Sequence, residues 1–533
     1  QSRVEWQERW REALARVNAD AAARLARDWK ALPRQEEAGP GPAHPYADDL
    51  DLFGHASVFQ LLGWTGTSVG RATLSAWLSD GAPPEVVGER QLAVDELSAL
   101  ERDRETFAAL GRMVTPAGAA LADLIAWGEA APWFIRHRAA VWAVRLVAAL
   151  TIGLIAAQAA GGVDGPLWMW PLIPSAILMA AFGKRIAQTF THVFSRFGMV
   201  RHHAELFARM ADTRCSSQAV RRLQETLRAS GTTAAREMER LARIERMADL
   251  RRVAIFHPVI MLLTLWDFHV LTALERWQRV AGPHLRAWYA ALGEFDALMA
   301  LASLRHDHAG WAFPEIDPAA DAFEAHALGH PLIADDRRVA NDVTVGPPGS
   351  FLMVTGSNMS GKSTLLRAIG VNVALAQAGA PVCADRLRMP PLRLCTSMRV
   401  ADSLEAGVSY FMAALQRLKL VVTAAQPGRE GDPRLMYLLD EVLQGTNTAE
   451  RQVAVRRVLG HLLALPTIGA VTTHDLELAE CDDLAAACRS VHFTETIEPD
   501  GEAVRLSFDF RLRPGIATSR NALVLLRSVG LDR

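Results

Sequence analysis

Residues 356–363, Gly-Ser-Asn-Met-Ser-Gly-Lys-Ser, place two glycines, a lysine and a serine at the spacing G-x-x-x-x-G-K-[ST]. Glycines at those positions free backbone N–H groups to wrap a phosphate chain. A lysine there neutralises the outer phosphates, and a hydroxyl in the last position ligates Mg²⁺. The arrangement requires a strand before the loop and a helix after it. Phe351-Leu-Met-Val-Thr355 is a short apolar run, and Leu365 to Ala378 has helical spacing. Gly356, Ser357, Asn358, Met359, Ser360, Gly361, Lys362, Ser363 and Thr364 are therefore expected to bind ATP, with Lys362 on the β- and γ-phosphates and Ser363 on Mg²⁺.

Two further strand ends add chemistry. Met436-Tyr-Leu-Leu-Asp440-Glu441 is an apolar run closed by two carboxylates, which can divide the work. Asp440 is expected to hold Mg²⁺ through water, and Glu441 to polarise the attacking water. Val471-Thr-Thr-His474 ends another apolar run, and His474 is expected to sense the γ-phosphate, because switch residues in such sheets emerge at the carboxyl ends of strands beside the phosphate loop.

The elements that must position these groups lie in a chain of 533 residues, which exceeds one hydrophobic core. Lys and Arg number 57 against 59 Asp and Glu, so no global field draws polyanions and any attraction to nucleic acid must be local. Cys215, Cys383, Cys395, Cys481 and Cys488 have no metal or redox spacing and read as reduced packing residues. Gln1 stands where an initiator Met would, without a signal-peptide pattern, so the sequence is read as a segment whose upstream features are out of view.

Residues 1–32 carry a loosely amphipathic helical pattern, and a Gly/Pro-rich linker follows from Glu37 to Pro45. From Ala139 to Gly183 the only strongly polar interruptions are Arg145, Gln158 and Asp164, and the stretch divides at Gly161–Gly165. Each half matches the roughly 20 residues needed to cross a bilayer. The flanks Arg136, Arg138, Lys184 and Arg185 are basic, which predicts a hairpin, 139–183, with both ends in the cytoplasm. A pair of buried helices in an all-α core is the alternative, kept open by Arg145, Pro166, Pro171 and Pro174. Lys184 to Arg252 holds fifteen Lys/Arg against seven Asp/Glu. That excess suits DNA phosphates, an anionic leaflet or a solvated helical face. Val253 to Leu274, with His257, Asp267 and His269, reads as a buried helix rather than a third span.

The motifs together resemble the MutS DNA mismatch-repair family. Thr355-Gly-Ser-Asn-Met-Ser-Gly-Lys-Ser-Thr364 is similar to its phosphate loop, Leu439-Asp-Glu-Val-Leu-Gln-Gly-Thr-Asn447 to its Asp-Glu strand and turn, and Thr472-Thr-His474 to its switch. Asp402 to Met412 resembles the signature segment, which implies that Ser409 is presented across a dimer interface to the partner's nucleotide. Asn341-Asp342-Val343 and Leu512-Arg-Pro-Gly515 also match, and 53–95 and 292–315 more weakly resemble the two ends of the family's helical core. Ala414 stands where related segments often carry an acid. No Phe-x-Glu wedge stands near the start, and Phe313-Pro-Glu315 and Phe493-Thr-Glu495 have that spelling in the wrong regions, so mismatch reading by the usual wedge is not expected.

These readings predict a multidomain protein. An N-terminal helix and linker (1–48) precede an all-α core or lever domain with the apolar hairpin (49–325) and a C-terminal α/β P-loop, ABC-type ATPase domain (326–533). The resemblance implies a homodimer that couples ATP hydrolysis to conformational switching on DNA, and the hairpin with its basic flanks predicts that the ATPase lies in the cytoplasm, anchored at the inner membrane. The rivals are a nucleotide-controlled membrane tether and an ABC-like motor, neither acting on DNA. The Leu-Ser-Gly-Gly-Gln signature of ABC transport domains is absent, and Gly407-Val-Ser-Tyr-Phe stands in its place.

Overall fold

The computed structural model describes residues 3–33, 39–41, 44–63, 65–113, 118–195, 200–228, 231–252, 257–357, 359–399, 410–426, 432–443, 448–474, 482–500 and 503–517. A helical N-terminal region is followed by a mixed α/β C-terminal region. Contacts gather the chain into two compact units assembled from separated stretches. One holds Gln1–Val17, Thr65–Arg71 and Glu101–Ala297; the other holds Asn18–Trp64, Ala72–Leu100 and Leu298–Arg533.

The first unit is helical. Trp6, Trp10, Leu14 and Val17 pack on Ala13, Ala109 and Met113, as their helical spacing requires. Asp296 is fully enclosed and accepts from the N–H of Gly66, the N–H of Thr67 and the Thr67 hydroxyl. Burial outweighs those donors and pushes its carboxyl up to about 6. The apolar stretch at 139–183 forms two helices, Arg138–Ala159 and Leu172–Phe190, joined through a short turn of 3₁₀ helix. Their base is tied to the helix Trp266–Ala281. Glu275 on that helix accepts from the N–H groups of Trp133, Phe134 and Ile135, and the Gln278 side-chain amide donates to the carbonyls of Trp127 and Ala130.

The run expected as one buried helix between Val253 and Leu274 is instead two. His257–Thr264 and the helix beginning at Trp266 meet at an angle of 76°. Leu265 between them has φ +55°, a left-handed conformation that ends the first helix. Only the second half is a core helix, with Phe268, Leu271, Leu274 and Trp277 fully enclosed.

In the second unit, described strands are numbered here in chain order. A mixed sheet contains β1 (Glu315–Ile316), β2 (Phe323–Leu328), β3 (Asn341–Val345) and β5 (Arg386–Met389), ordered β1-β5-β2-β3. The larger sheet contains β4 (Phe351–Thr355), β6 (Leu392–Ser397), β7 (Arg434–Asp440), β8 (Ile468–Thr472), β9 (Cys488–His492) and β12 (Arg513–Pro514), ordered β12-β9-β4-β8-β7-β6. All its neighbours run parallel except β12, and β10 (Glu495–Asp500) pairs with β11 (Ala503–Phe508) as an antiparallel ribbon. Every residue of β4 and β8 is buried, which explains why these strands read as unbroken apolar runs: both faces of a parallel sheet are covered.

Several buried polar groups in this unit are paired. Asn372 donates to the carbonyls of Gly329 and Ala368 and accepts from the Cys383 N–H. The Arg27 guanidinium donates to the carbonyls of Pro331 and Arg24 and lies 3.3 Å from His308 Nε2. Burial, reinforced by Arg27, holds the His308 imidazole down to about 4, and burial with Arg367 does the same for His330.

Candidate functional site

The carboxyl ends of β7, β8, β4 and β9 stand side by side in the parallel sheet, and the candidate groups leave from these ends. After Thr355 the chain turns at Gly356, whose φ is +142°. A Cβ there would come within 2.8 Å of the Ser360 hydroxyl and 3.0 Å of the Phe493 carbonyl, so only glycine fits. Met359 and Gly361 also take positive φ, and the helix Lys362–Ala378 begins at once. The loop is thus wrapped tightly onto a helix N-terminus, where unpaired N–H groups and the helix dipole favour an anion.

Lys362 folds back under this loop and donates to the carbonyls of Gly356 (3.0 Å) and Ser357 (2.9 Å), with its side chain only 3 % exposed. Burial lowers its ammonium pKa, while Glu441, then Asp440, then Glu495 act in the opposite direction. Ser363 stands half-buried in the first helical turn, and Thr364 beside it is exposed. The Ser360 hydroxyl is enclosed beneath the loop and has no hydrogen-bond partner among the described residues.

β7 and β8 bring the acids to Lys362. Their register pairs Asp440 with Thr472, and the Thr472 hydroxyl donates to Asp440 Oδ1 at 2.5 Å while accepting from the Glu441 N–H at 3.0 Å. One threonine thus fixes both carboxylate-bearing residues. Glu441 has φ +47°, unusual for a residue with a Cβ, and this turns its carboxylate away from the strand line. Glu441 Oε1 lies 2.6 Å from His474 Nε2 and 3.8 Å from Lys362 Nζ. His474 Nε2 also lies 3.5 Å from Lys362 Nζ, so lysine, glutamate and imidazole meet at one point.

Sequence reasoning passed over other residues that the fold delivers here. The Phe493 N–H donates to the Thr355 carbonyl, and Glu495 Oε2 accepts from the Ser357 hydroxyl at 3.1 Å. Their spelling, Phe-Thr-Glu, had drawn notice only for its likeness to a wedge motif. Its actual place follows from β9 pairing with β4, a neighbour relation no local pattern signals. Phe493 and Phe510 flank a cavity of about 220 Å³ beside Gly361 and Thr364, which Leu328, Val339 and Asn341 also line. Asn341 clamps the far wall: it donates to the Phe510 carbonyl and accepts from the Leu512 N–H.

Asn358 and Ser409 lie outside the described residues, as does most of the segment 402–412. The described chain that precedes it, ending at Arg399, is firmly held. Asp49 accepts from the Thr396 hydroxyl and from the N–H groups of Met398 and Arg399, and Arg399 forms a two-pronged pair with Asp51.

The profile of MutS domain V matches residues 352–530. Among curated proteins, the chain is 32 % identical over 269 residues to DNA mismatch repair protein MutS 2 of Halobacterium salinarum, covering 49 % of this chain and 28 % of that protein. It is 28 % identical over 272 residues to DNA mismatch repair protein MSH6 of Arabidopsis thaliana (48 % and 20 %). With DNA mismatch repair protein MutS of Natronomonas pharaonis it shares 29 % over 268 residues (49 % and 29 %). The matched portion therefore spans less than a third of each of these relatives.

Proposed function

The chain is a MutS-family protein, and on that premise we propose that it binds and hydrolyses ATP at the site around Lys362 and couples this cycle to conformational switching on DNA. The observation that carries the proposal is the convergence of Lys362, Asp440, Glu441 and His474 beneath a glycine-bounded loop at the ends of adjacent parallel strands.

In this reading the Lys362 ammonium exchanges its two loop carbonyls for the outer phosphates of ATP, whose negative charge compensates the burial that now weakens its hold on the proton. The buried Ser360 hydroxyl, the loop N–H groups and the helix start are suited to the phosphate chain. The cavity between Phe493 and Phe510 suits the base by size and by its aromatic walls. The donor set also fits Mg²⁺, which takes few protein ligands and completes its shell with phosphate and water. Ser363 and Asp440 would hold it, and the ion would neutralise charge developing on the phosphates. Glu441 accepts the proton of the attacking water, and His474 holds the glutamate in place. Ser409 of a second copy completes the γ-phosphate shell, so the active form is a homodimer.

The exposed arginines of the helices Val200–Asp212, Gln218–Leu227 and Ala234–Ala248, among them Arg209, Arg221, Arg222 and Arg243, suit a DNA backbone. A second reading, in which nucleotide controls a membrane tether, is favoured by the hairpin. Both its helices are long and apolar enough to cross a membrane, and their large side chains point outward: Leu146 is 70 % and Ile177 63 % exposed. The hydroxyls of Thr151 and Ser175 bond carbonyls of their own helices, as lipid demands. The two readings join in a protein held at the inner membrane with its ATPase in the cytoplasm.

Hydrolysis measured on the purified protein alone and with duplex, branched and mismatched DNA tests the proposal. Glu441→Gln should bind ATP without turnover, and Lys362→Ala should fail to bind. Wild-type turnover by Glu441→Gln would remove the assigned base, and a rate indifferent to every DNA would favour the tether.

A further inference from the structure

We propose that the short helix His257–Thr264 is a third membrane element, seated shallowly among headgroups and upper acyl chains of the leaflet at the basic end of the hairpin. The inference rests on the membrane reading above and extends it to a segment whose sequence reads as buried core.

The helix packs against both hairpin helices. Met261 is its inward anchor, while Pro258 and Val259 face outward, Val259 at 57 % exposure. Eight residues rise about 12 Å, far short of the roughly 30 Å hydrocarbon layer, so the element cannot cross. Its polar groups are satisfied within the protein. The Thr264 hydroxyl donates to the Ile260 carbonyl at 2.6 Å, and His257 Nε2 meets Asp267 Oδ1 at 3.0 Å. Arg251 Nε lies 3.2 Å from Asp267 Oδ2.

This charge cluster also fixes which end of the hairpin the helix borders. The Arg251 guanidinium lies over the ring of Phe190, the last residue of the second hairpin helix, whose last two turns carry Lys184 and Arg185. Arg185 in turn covers Trp133, just before the first hairpin helix and its flanking Arg136 and Arg138. The short helix thus lies beside the end whose cations suit anionic headgroups. Trp266, which follows the bend at Leu265, donates its indole N–H to the Met247 carbonyl, and tryptophan favours the same boundary. An apolar helix with an outward valine and charged neighbours at the basic end suits the interface better than water.

The test uses the full chain in vesicles of phosphatidylcholine and phosphatidylglycerol, with a benzophenone side chain placed singly at Ile177, Val259 or Arg228. After irradiation, adducts are located by mass spectrometry. Lipid adducts are expected at Ile177 along the acyl chains and at Val259 on glycerol and the first acyl carbons, with none at Arg228. Lipid adducts at Ile177 with only protein adducts at Val259 would overturn this inference and leave the hairpin reading standing. Adducts from Val259 at acyl-chain ends would overturn the shallow seat. Loss of lipid adducts at both positions would overturn the membrane reading itself.

Discussion

Gly469→Ala should damage both stability and turnover, although residue 469 touches no catalytic group. Gly469 pairs with Tyr437 across β8 and β7, and a Cβ at 469 would stand 2.2, 2.3 and 2.4 Å from Cε2, Cζ and Cδ2 of that ring. Carbon atoms pack best at about 3.5–4.0 Å, so the ring or the strand must yield by more than about 1 Å. Tyr437 is 1 % exposed within a cluster that includes Met353, Leu435, Leu439 and Val471, and it has nowhere to go. Overpacking of this kind costs about 1–3 kcal/mol, and a ring clashing along one whole edge belongs at the upper end, about 3 kcal/mol. The same register, three residues on, pairs Asp440 with Thr472. Separating the strands therefore lengthens the 2.5 Å Thr472–Asp440 bond that aligns the acids. Urea unfolding and saturating ATP turnover should both decline. Tyr437→Leu alone should cost about 2–4 kcal/mol, as lost core rings do. Adding Gly469→Ala to it should cost little more, a favourable coupling of about 2 kcal/mol in a double-mutant cycle. An unchanged unfolding midpoint in Gly469→Ala, or strict additivity in the double variant, would refute the clash.

Replacing 139–183 by a short polar linker should convert a chain that pellets with membranes and resists carbonate into a soluble one that still binds ATP; a full-length chain monodisperse without detergent would sink the hairpin. Ser409→Ala mixed with Lys362→Ala should recover turnover, because the mixed dimer keeps one site with both residues intact; no recovery at any ratio would dismiss the shared site. His308 and His330 have folded-state values lowered to about 4 from 6.5. Above pH 6.5 both are neutral in either state and contribute nothing. Below it the unfolded chain takes up protons that the folded chain refuses, so the second unit should lose stability between pH 6.5 and 4, by up to about 3 kcal/mol per histidine. His330→Gln should flatten the fall in urea midpoint over that range, and an equal slope in the variant would count against the assignment.

The linear sequence was enough to place the glycine-bounded loop between its strand and its helix, because those residues are contiguous and the geometry they need is local. The same holds for Asp440 and Glu441 at the end of an apolar run, and for the hairpin helices, whose length and composition mark them without any partner. What lay beyond reach was every relation set by strand order. That β8 lies between β7 and β4 is what lets Thr472 fasten Asp440 and the Glu441 backbone, and that β9 flanks β4 is what carries Phe493 and Glu495 to the loop. The bend at Leu265 was equally hidden, since a continuous apolar run obeys helical spacing on both sides of it. Local spacing records which face a residue presents within its own element. Which elements become neighbours is decided by burying those faces together, a choice spread over residues as far apart in sequence as Asp49 and Thr396.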